Sequence, residues 1–308
     1  MTIPKTFRPF LCPPASFQAI PLADEELALT WLGTAGFKLQ SKRTTLLIDP
    51  FFSRISLPNL LFRKLQPHHQ RIEYHLEQTV PHCDAIIVGH SHYDHVMDVP
   101  YIAQKTGATV IGSRSTATLM RSAGLPASQI QTVRGGDQIT VGDINVRFIT
   151  SRHSAFLFGR IPYPGEIEPP LKLPLKASGY RCGEVFGLQI SQADFHFYHL
   201  GSCDLIEENM ETPPIDVFLM GISGRHNTPD FVSRVIRKLR PRLVIPHHFD
   251  SFFQPIEKGL RMLPGMQCQK LVEEVYAVDQ GIKIQVIDLL QEIRIKTREV
   301  KEKPDQKL

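Results

Sequence analysis

The sequence predicts an α/β fold in which two mixed sheets pack together with helices outside. Three observations carry this. Short apolar runs of strand-forming residues recur from residue 27 to residue 287. Helix-period segments are interleaved with them in both halves of the chain. Polar clusters, several containing histidine, stand at the ends of the apolar runs.

Residues 1–26 are proline-rich and unpatterned, and read as an arm over the surface. "LALTWLG" (27–33), "GFKLQS" (36–41) and "TTLLIDPF" (44–51) read as short strands with glycine and polar breaks. "CDAIIVGH" (83–90) is a continuous apolar run, the pattern of a strand buried on both faces. A helix over 97–107, a strand over 109–113 and a helix over 115–124 follow. Residues 130–150 read as all-β, with glycine turns.

Residues 155–179 hold five prolines and no period, so a binding loop or lid is expected there. Phe156, Phe158, Tyr163 and Tyr180 would line it. Strands at 185–190, 195–201, 216–221, 242–248 and 281–287 are interleaved with helices at 229–240 and 270–279. No linker or fixed repeat divides the chain. The expected organisation is one domain over 27–290, with a charged, frayed tail over 291–308.

Composition narrows the function classes. The chain is 42% hydrophobic and 21% charged, enough apolar content to bury a core. A net charge of +4 is mild, and no basic patch is interleaved with aromatics, so no nucleic-acid partner is expected. No apolar run approaches the roughly 18 residues of a membrane span. The five cysteines form no CxxC pair. They read as reduced thiols of a cytoplasmic protein.

"GHSHYDH" (89–95) carries the chemistry. His90, His92 and Asp94 stand at i, i+2 and i+4, on one side of an extended segment. His95 follows where a helix is expected to start. Two imidazoles then converge on one point, while Asp94 and His95 reach a second point beside it. Imidazole and carboxylate suit Zn²⁺, with Mn²⁺ and Fe²⁺ as alternatives. A hydrogen-bonded polar turn is the plain alternative. The context favours metal, because the motif follows a buried strand.

With this motif the sequence resembles the metallo-β-lactamase fold superfamily, whose signature is H-x-H-x-D-H. "WLGTAGFKL" (31–39) and "LLIDPFFSR" (46–54) resemble the N-acyl-phosphatidylethanolamine phospholipase D and ascorbate-6-phosphate lactonase branch. Thr34 stands where those relatives often have histidine. The resemblance spans about residues 28–290 and implies a four-layer αββα sandwich with a one- or two-metal site at one edge. It implies that His90, His92 and His153 hold one ion, that Asp94, His95 and His248 hold the other, and that Asp204 bridges them. Many relatives place that bridging carboxylate directly after a glycine, where this chain has Ser202. His247, beside His248, is the competing choice for the last ligand.

The resemblance further implies a hydrolase acting on an ester-type bond, a phosphodiester, phospholipid or lactone, in a small-molecule or lipid substrate. Asp94 and Asp204 would be its catalytic carboxylates, with Asp94 also relaying a proton. Asp49 would orient a ligand histidine or cap a turn before Pro50, and Asp98 would orient one or be a solvated acid at a helix start. Arg225 and His226 would hold a substrate phosphate or carboxylate, or form a solvated turn. A mononuclear iron oxidoreductase and an inactive metal-binding scaffold of the same fold are the competing classes. Oligomeric state is left open.

Overall fold

The computed structural model describes residues 22–23, 26–156 and 159–296. One sheet is built from β1 (Glu26–Gly33), β2 (Gly36–Gln40), β3 (Thr45–Ile48), β4 (Ala85–Ile87), β5 (Thr109–Gly112), β6 (Ile130–Thr132) and β14 (Glu292–Lys296). Its spatial order is β14-β1-β2-β3-β4-β5-β6. The other is built from β7 (Gln138–Val141), β8 (Ile144–Thr150), β9 (Phe186–Gln192), β10 (Phe195–Leu200), β11 (Val217–Gly221), β12 (Leu243–His247) and β13 (Lys283–Ile284). Its order is β13-β12-β11-β10-β9-β8-β7. The two sheets of seven strands are the mixed pair that the sequence predicts.

Strands β3 to β6 run parallel to one another, and parallel neighbours need crossovers. Helix α4 (Val99–Thr106) joins β4 to β5, and α5 (Arg114–Ser122) joins β5 to β6. Gly107 ends α4 in a left-handed conformation, φ 75°, which only a residue without a Cβ adopts without strain. In the second sheet, α6 (Phe231–Leu239) and α7 (Cys268–Tyr276) play the same part. Phe231, Val232, Val235, Ile236 and Leu239 form one apolar stripe on α6 and are all buried.

The run over 83–90 is buried on both faces, as its unbroken apolar sequence requires. Ala85 and Ile87 pack into the core shared with the second sheet. Ile86 and Val88 pack into a separate core under the helices of the first sheet. Helix, sheet, sheet and helix therefore stack in four layers. Among the described residues no helix is long and apolar enough to cross a membrane.

Two segments differ from the sequence expectation. Residues 292–296, assigned to a frayed tail, form β14, with Ile293 opposite Leu29 and Ile295 opposite Leu27 of β1. The alternation in "EIRIK" buries both isoleucines, worth roughly 1.5–3 kcal/mol each, and this outweighs the charge that suggested solvation. Residues 297–308 lie outside the described residues, as do 1–21 of the expected arm. Between β3 and β4, a stretch left unassigned folds into α1 (Leu57–Phe62) and α2 (His69–Thr79). No residue of α1 is buried.

Candidate metal centre

Four strands of the two sheets end at one edge and deliver the polar residues there. Asp49 follows β3, His90 and His92 follow β4, His153 follows β8, and His248 follows β12. His92 is the extended residue that caps the short helix α3 (Tyr93–Val96). The chain turns helical at that point. Asp94 and His95 therefore leave the line of His90 and His92 and point to a second place.

Two groups of donors result. One ligand atom from each of His90, His92 and His153 lies within 4.8 Å of the others, and the same holds for Asp94, His95 and His248. The groups share a wall, since the rings of His90 and His95 are 3.8 Å apart at their centroids. The structure thus selects His248, not His247, for the second group. His248 adopts a left-handed backbone, φ 58°, where the strand ends.

The hydrogen bonds show which nitrogens are left for a cation. A ligand histidine normally donates its other ring N–H to a fixed acceptor. His92 Nε2 lies 2.8 Å from the carbonyl of Pro162, and His153 Nδ1 lies 2.8 Å from that of Ser154. His95 Nδ1 lies 2.8 Å from Asp49 Oδ2. Asp49 is fully buried, and its other oxygen accepts the Gly89 amide at 2.7 Å, which locks the β3 end to the β4 end. With those nitrogens donating, His92 Nδ1 carries a lone pair, 3.0 Å from His90 Nε2. His248 Nε2 lies 3.5 Å from Asp94 Oδ2, and its Nδ1 is buried with no hydrogen-bond partner. Lone pairs that converge within 4.8 Å in a largely buried site are what a divalent cation satisfies, so the residues present fit a bound metal.

The electrostatics agree. Burial pushes His90 well below the ordinary imidazole range, with His95 and His92 adding to the effect. Burial brings His92 down to about 4 and His153 to about 3. All three are neutral at pH 7, the form that binds a metal. His95 goes the other way. Burial opposes its charge, but Asp49 and Asp94 outweigh that and raise it. Burial also opposes charge on Asp94, and His95 and His248 outweigh it, so Asp94 is lowered and ionised.

A buried ion pair holds the second group in place. Arg54 Nη1 donates to Asp250 Oδ2 at 2.7 Å and to Thr34 Oγ1 at 2.9 Å. Thr34 N donates to Asp250 Oδ1, and Thr34 O accepts from the amide of His248. Three chain segments are clamped by one guanidinium, and His248 is fixed through them. Gly33 is needed for this: a Cβ there would stand 1.8 Å from Arg54 Nη2. Thr34 is thus a hub of the clamp. On the other side, Asp98 accepts from the amides of Phe52 and Ser53 at 2.7 Å and from Ser53 Oγ at 2.5 Å.

Several sequence expectations need correction. Asp204 joins neither donor group. Its Oδ1 takes the Leu205 amide, and its charge acts on Arg234. Strand β10 ends at Leu200, and residues 201–203 bend instead of continuing the alternation that would carry Asp204 to the site. Ser202 donates its hydroxyl to the Arg152 carbonyl, beside His153. Asp98 holds a loop and orients no histidine. Arg225 is neither a substrate clamp nor solvated: it is buried, bonded to the carbonyls of Met266 and Gln267 and to Glu274. Tyr180 packs in the core under the first sheet, not in a cleft, and Phe158 lies outside the described residues. The loop over 155–179 does reach the site, through Pro162.

Sequence reading missed His199. It is fully buried, its Nε2 bonds the Ala35 carbonyl, and its ring stacks on His247 at 5.0 Å. Gly201 lets it approach the centre. A Cβ there would lie 3.2 Å from His95 Cε1 and 3.3 Å from both Asp49 Oδ2 and His199 Cε1. The signal was present, since Phe195, Phe197 and His199 share one inward face of β10.

Two predictions follow from this geometry. Arg54→Met leaves Asp250 buried and unpaired, so urea unfolding of metal-free protein should show a loss of about 3–5 kcal/mol, largely recovered by adding Asp250→Leu. Equal losses in the single and double variants would contradict the clamp. The second concerns pH. Five buried histidines (His75, His90, His92, His199 and His247) and half-buried His153 are lowered in the folded state. Below their ordinary value of 6.5 the unfolded chain takes up protons that these folded rings refuse, so stability falls as pH drops from 6.5 towards 4. His95 and Asp98, both raised, oppose this but are outnumbered. Thermal melts of metal-free protein should give a lower Tm at pH 5 than at pH 8.

Comparison with known proteins places the chain. Residues 28–248 match the model of the "Beta-lactamase superfamily domain" family. A UPF0173 metal-dependent hydrolase of Anaeromyxobacter dehalogenans (strain 2CP-1 / ATCC BAA-258) is 30% identical over 233 residues, covering 73% of this chain and 75% of the relative. Igni18, a metallo hydrolase of Ignicoccus hospitalis KIN4/I, shares the fold at a TM-score of 0.57 and 18% identity, over 88% of this chain and 98% of its own. CmlA, a diiron β-hydroxylase of Streptomyces venezuelae, shares it at 0.57 and 13%, over 89% and 55%. With its paired sheets and its histidine-rich edge, the chain belongs to the β-lactamase superfamily domain family.

Proposed function

We propose that the chain is a metal-dependent hydrolase that cleaves an ester-type bond, in a phosphodiester, phospholipid or lactone. One observation carries the reading: two donor groups, buried except for half-buried His153, share a wall, one of three imidazoles and one of two imidazoles and a carboxylate. The name of the UPF0173 relatives supports it. Two zinc ions per chain suit the donors, with Mn²⁺ or Fe²⁺ as alternatives. When bound, such ions bring the pKa of a coordinated water towards neutrality and polarise the electrophile.

The residues of the chain do the rest. His90, His92 and His153 would hold one ion, and Asp94, His95 and His248 the other. Pro162, Ser154 and Asp49 keep three of these rings in the ligating tautomer. Asp94 is the one carboxylate of the six donors, which makes it the group able to relay a proton to the leaving oxygen. Ser91 Oγ faces Thr116, and Cys203 donates its thiol to the Gly221 carbonyl, so neither serves as a nucleophile.

A second reading has its own observation. Asp94, His95 and His248 make a two-histidine, one-carboxylate set, which suits Fe²⁺. CmlA, on the same fold, is a diiron β-hydroxylase. Elemental analysis of wild type, His92→Ala and His248→Ala separates the readings. The hydrolase predicts two zincs per chain, about one lost in each variant, and ester or phosphodiester turnover falling more than about 100-fold, beyond the effect of outer partners. One iron and no hydrolysis would favour the oxidoreductase. No metal at all would leave a scaffold.

A further inference from the structure

Helix α1 presents apolar side chains to solvent. Leu57, Leu61 and Phe62 are 49%, 62% and 77% exposed, three of the seven exposed large hydrophobic residues among those described. This six-residue helix has no fully buried residue and is held only through Leu60, which packs against the core under the first sheet. Yet "LPNLLF" carries four large apolar residues. It starts three positions after Arg54, the guanidinium of the clamp that fixes His248.

The charges nearest to it along the chain have one sign. Arg63 and Lys64 follow directly and are exposed. The amide of Leu65 bonds the carbonyl of Leu175, which brings the loop with exposed Lys172 and Lys176 alongside. No Asp or Glu occurs between Pro50 and Ile72, or between Pro169 and Gly183. None of these four cations is in an ion pair with a described residue. Exposed Leu and Phe rimmed by Lys and Arg match an interface of acyl chains beneath anionic headgroups.

We propose that α1 and the 171–176 loop form a docking surface for an anionic phospholipid bilayer. The apolar side chains enter the headgroup boundary, and the four cations lie at the phosphate level. The surface uses no metal donor, so it stands or falls apart from the hydrolase reading.

The test is co-sedimentation of the full chain with phosphatidylcholine vesicles, with and without phosphatidylglycerol. Wild type should pellet with the phosphatidylglycerol vesicles and come off as salt rises. Leu61→Ser with Phe62→Ser should abolish pelleting. Arg63→Ser with Lys64→Ser should weaken it about 25-fold, roughly fivefold per cation. Thermal melts and metal content should match wild type in both, since the altered residues are exposed and hold no metal. Failure of the wild type to pellet, or variants that pellet equally well, would overturn the proposal. So would a dimer in sedimentation equilibrium that Leu61→Ser with Phe62→Ser dissociates, because the surface would then bind a second copy of the chain.

Discussion

Five imidazoles and a carboxylate are packed into one nearly dry space, and each ring must be neutral or paired there. This constraint organises the whole edge of the sandwich. His92 and His153 give one N–H to a backbone carbonyl, and His95 gives one to Asp49. The remaining lone pairs face inward. Without a cation, neighbouring nitrogens face one another at hydrogen-bond distance, and buried His248 Nδ1 has no hydrogen-bond partner. A divalent ion takes up the lone pairs that face one another, so the fold and the metal are coupled.

The two donor groups are unlike in charge. Three neutral imidazoles form one, and ionised Asp94 sits in the other beside a His95 raised by Asp49. No other carboxylate comes close enough to join either group among the described residues. Ser202 is turned to the Arg152 carbonyl, and Asp204 lies towards Arg234. The second group depends on distant parts of the chain. His248 is placed by Thr34, and Thr34 by Arg54 and Asp250. A buried ion pair contributes little net stability, yet breaking it is costly. Its value here is position.

How much of this was legible follows from the range of each interaction. His90, His92, Asp94 and His95 sit in one short run, and strand spacing exposed them at once. His153 and His248 could be read because each follows an apolar strand at the expected end. Asp204 was misplaced because the same rule was carried past Leu200, where the strand stops. The clamp was invisible: Arg54 and Asp250 are 196 positions apart, and nothing local in either marks the other. His199 left a faint trace, a histidine on the inward face of a phenylalanine-rich strand. Strand β14 was hidden by charge, since Glu292, Arg294 and Lys296 point outward between two buried isoleucines. The doubly buried β4 and the amphipathic α6 were plain, because period and composition agree there.

The most direct test is anomalous scattering from a crystal of the chain grown with zinc. The account predicts two peaks, one among His90, His92 and His153 and one among Asp94, His95 and His248. A single peak, or a peak that draws in the carboxylate of Asp204, would contradict it.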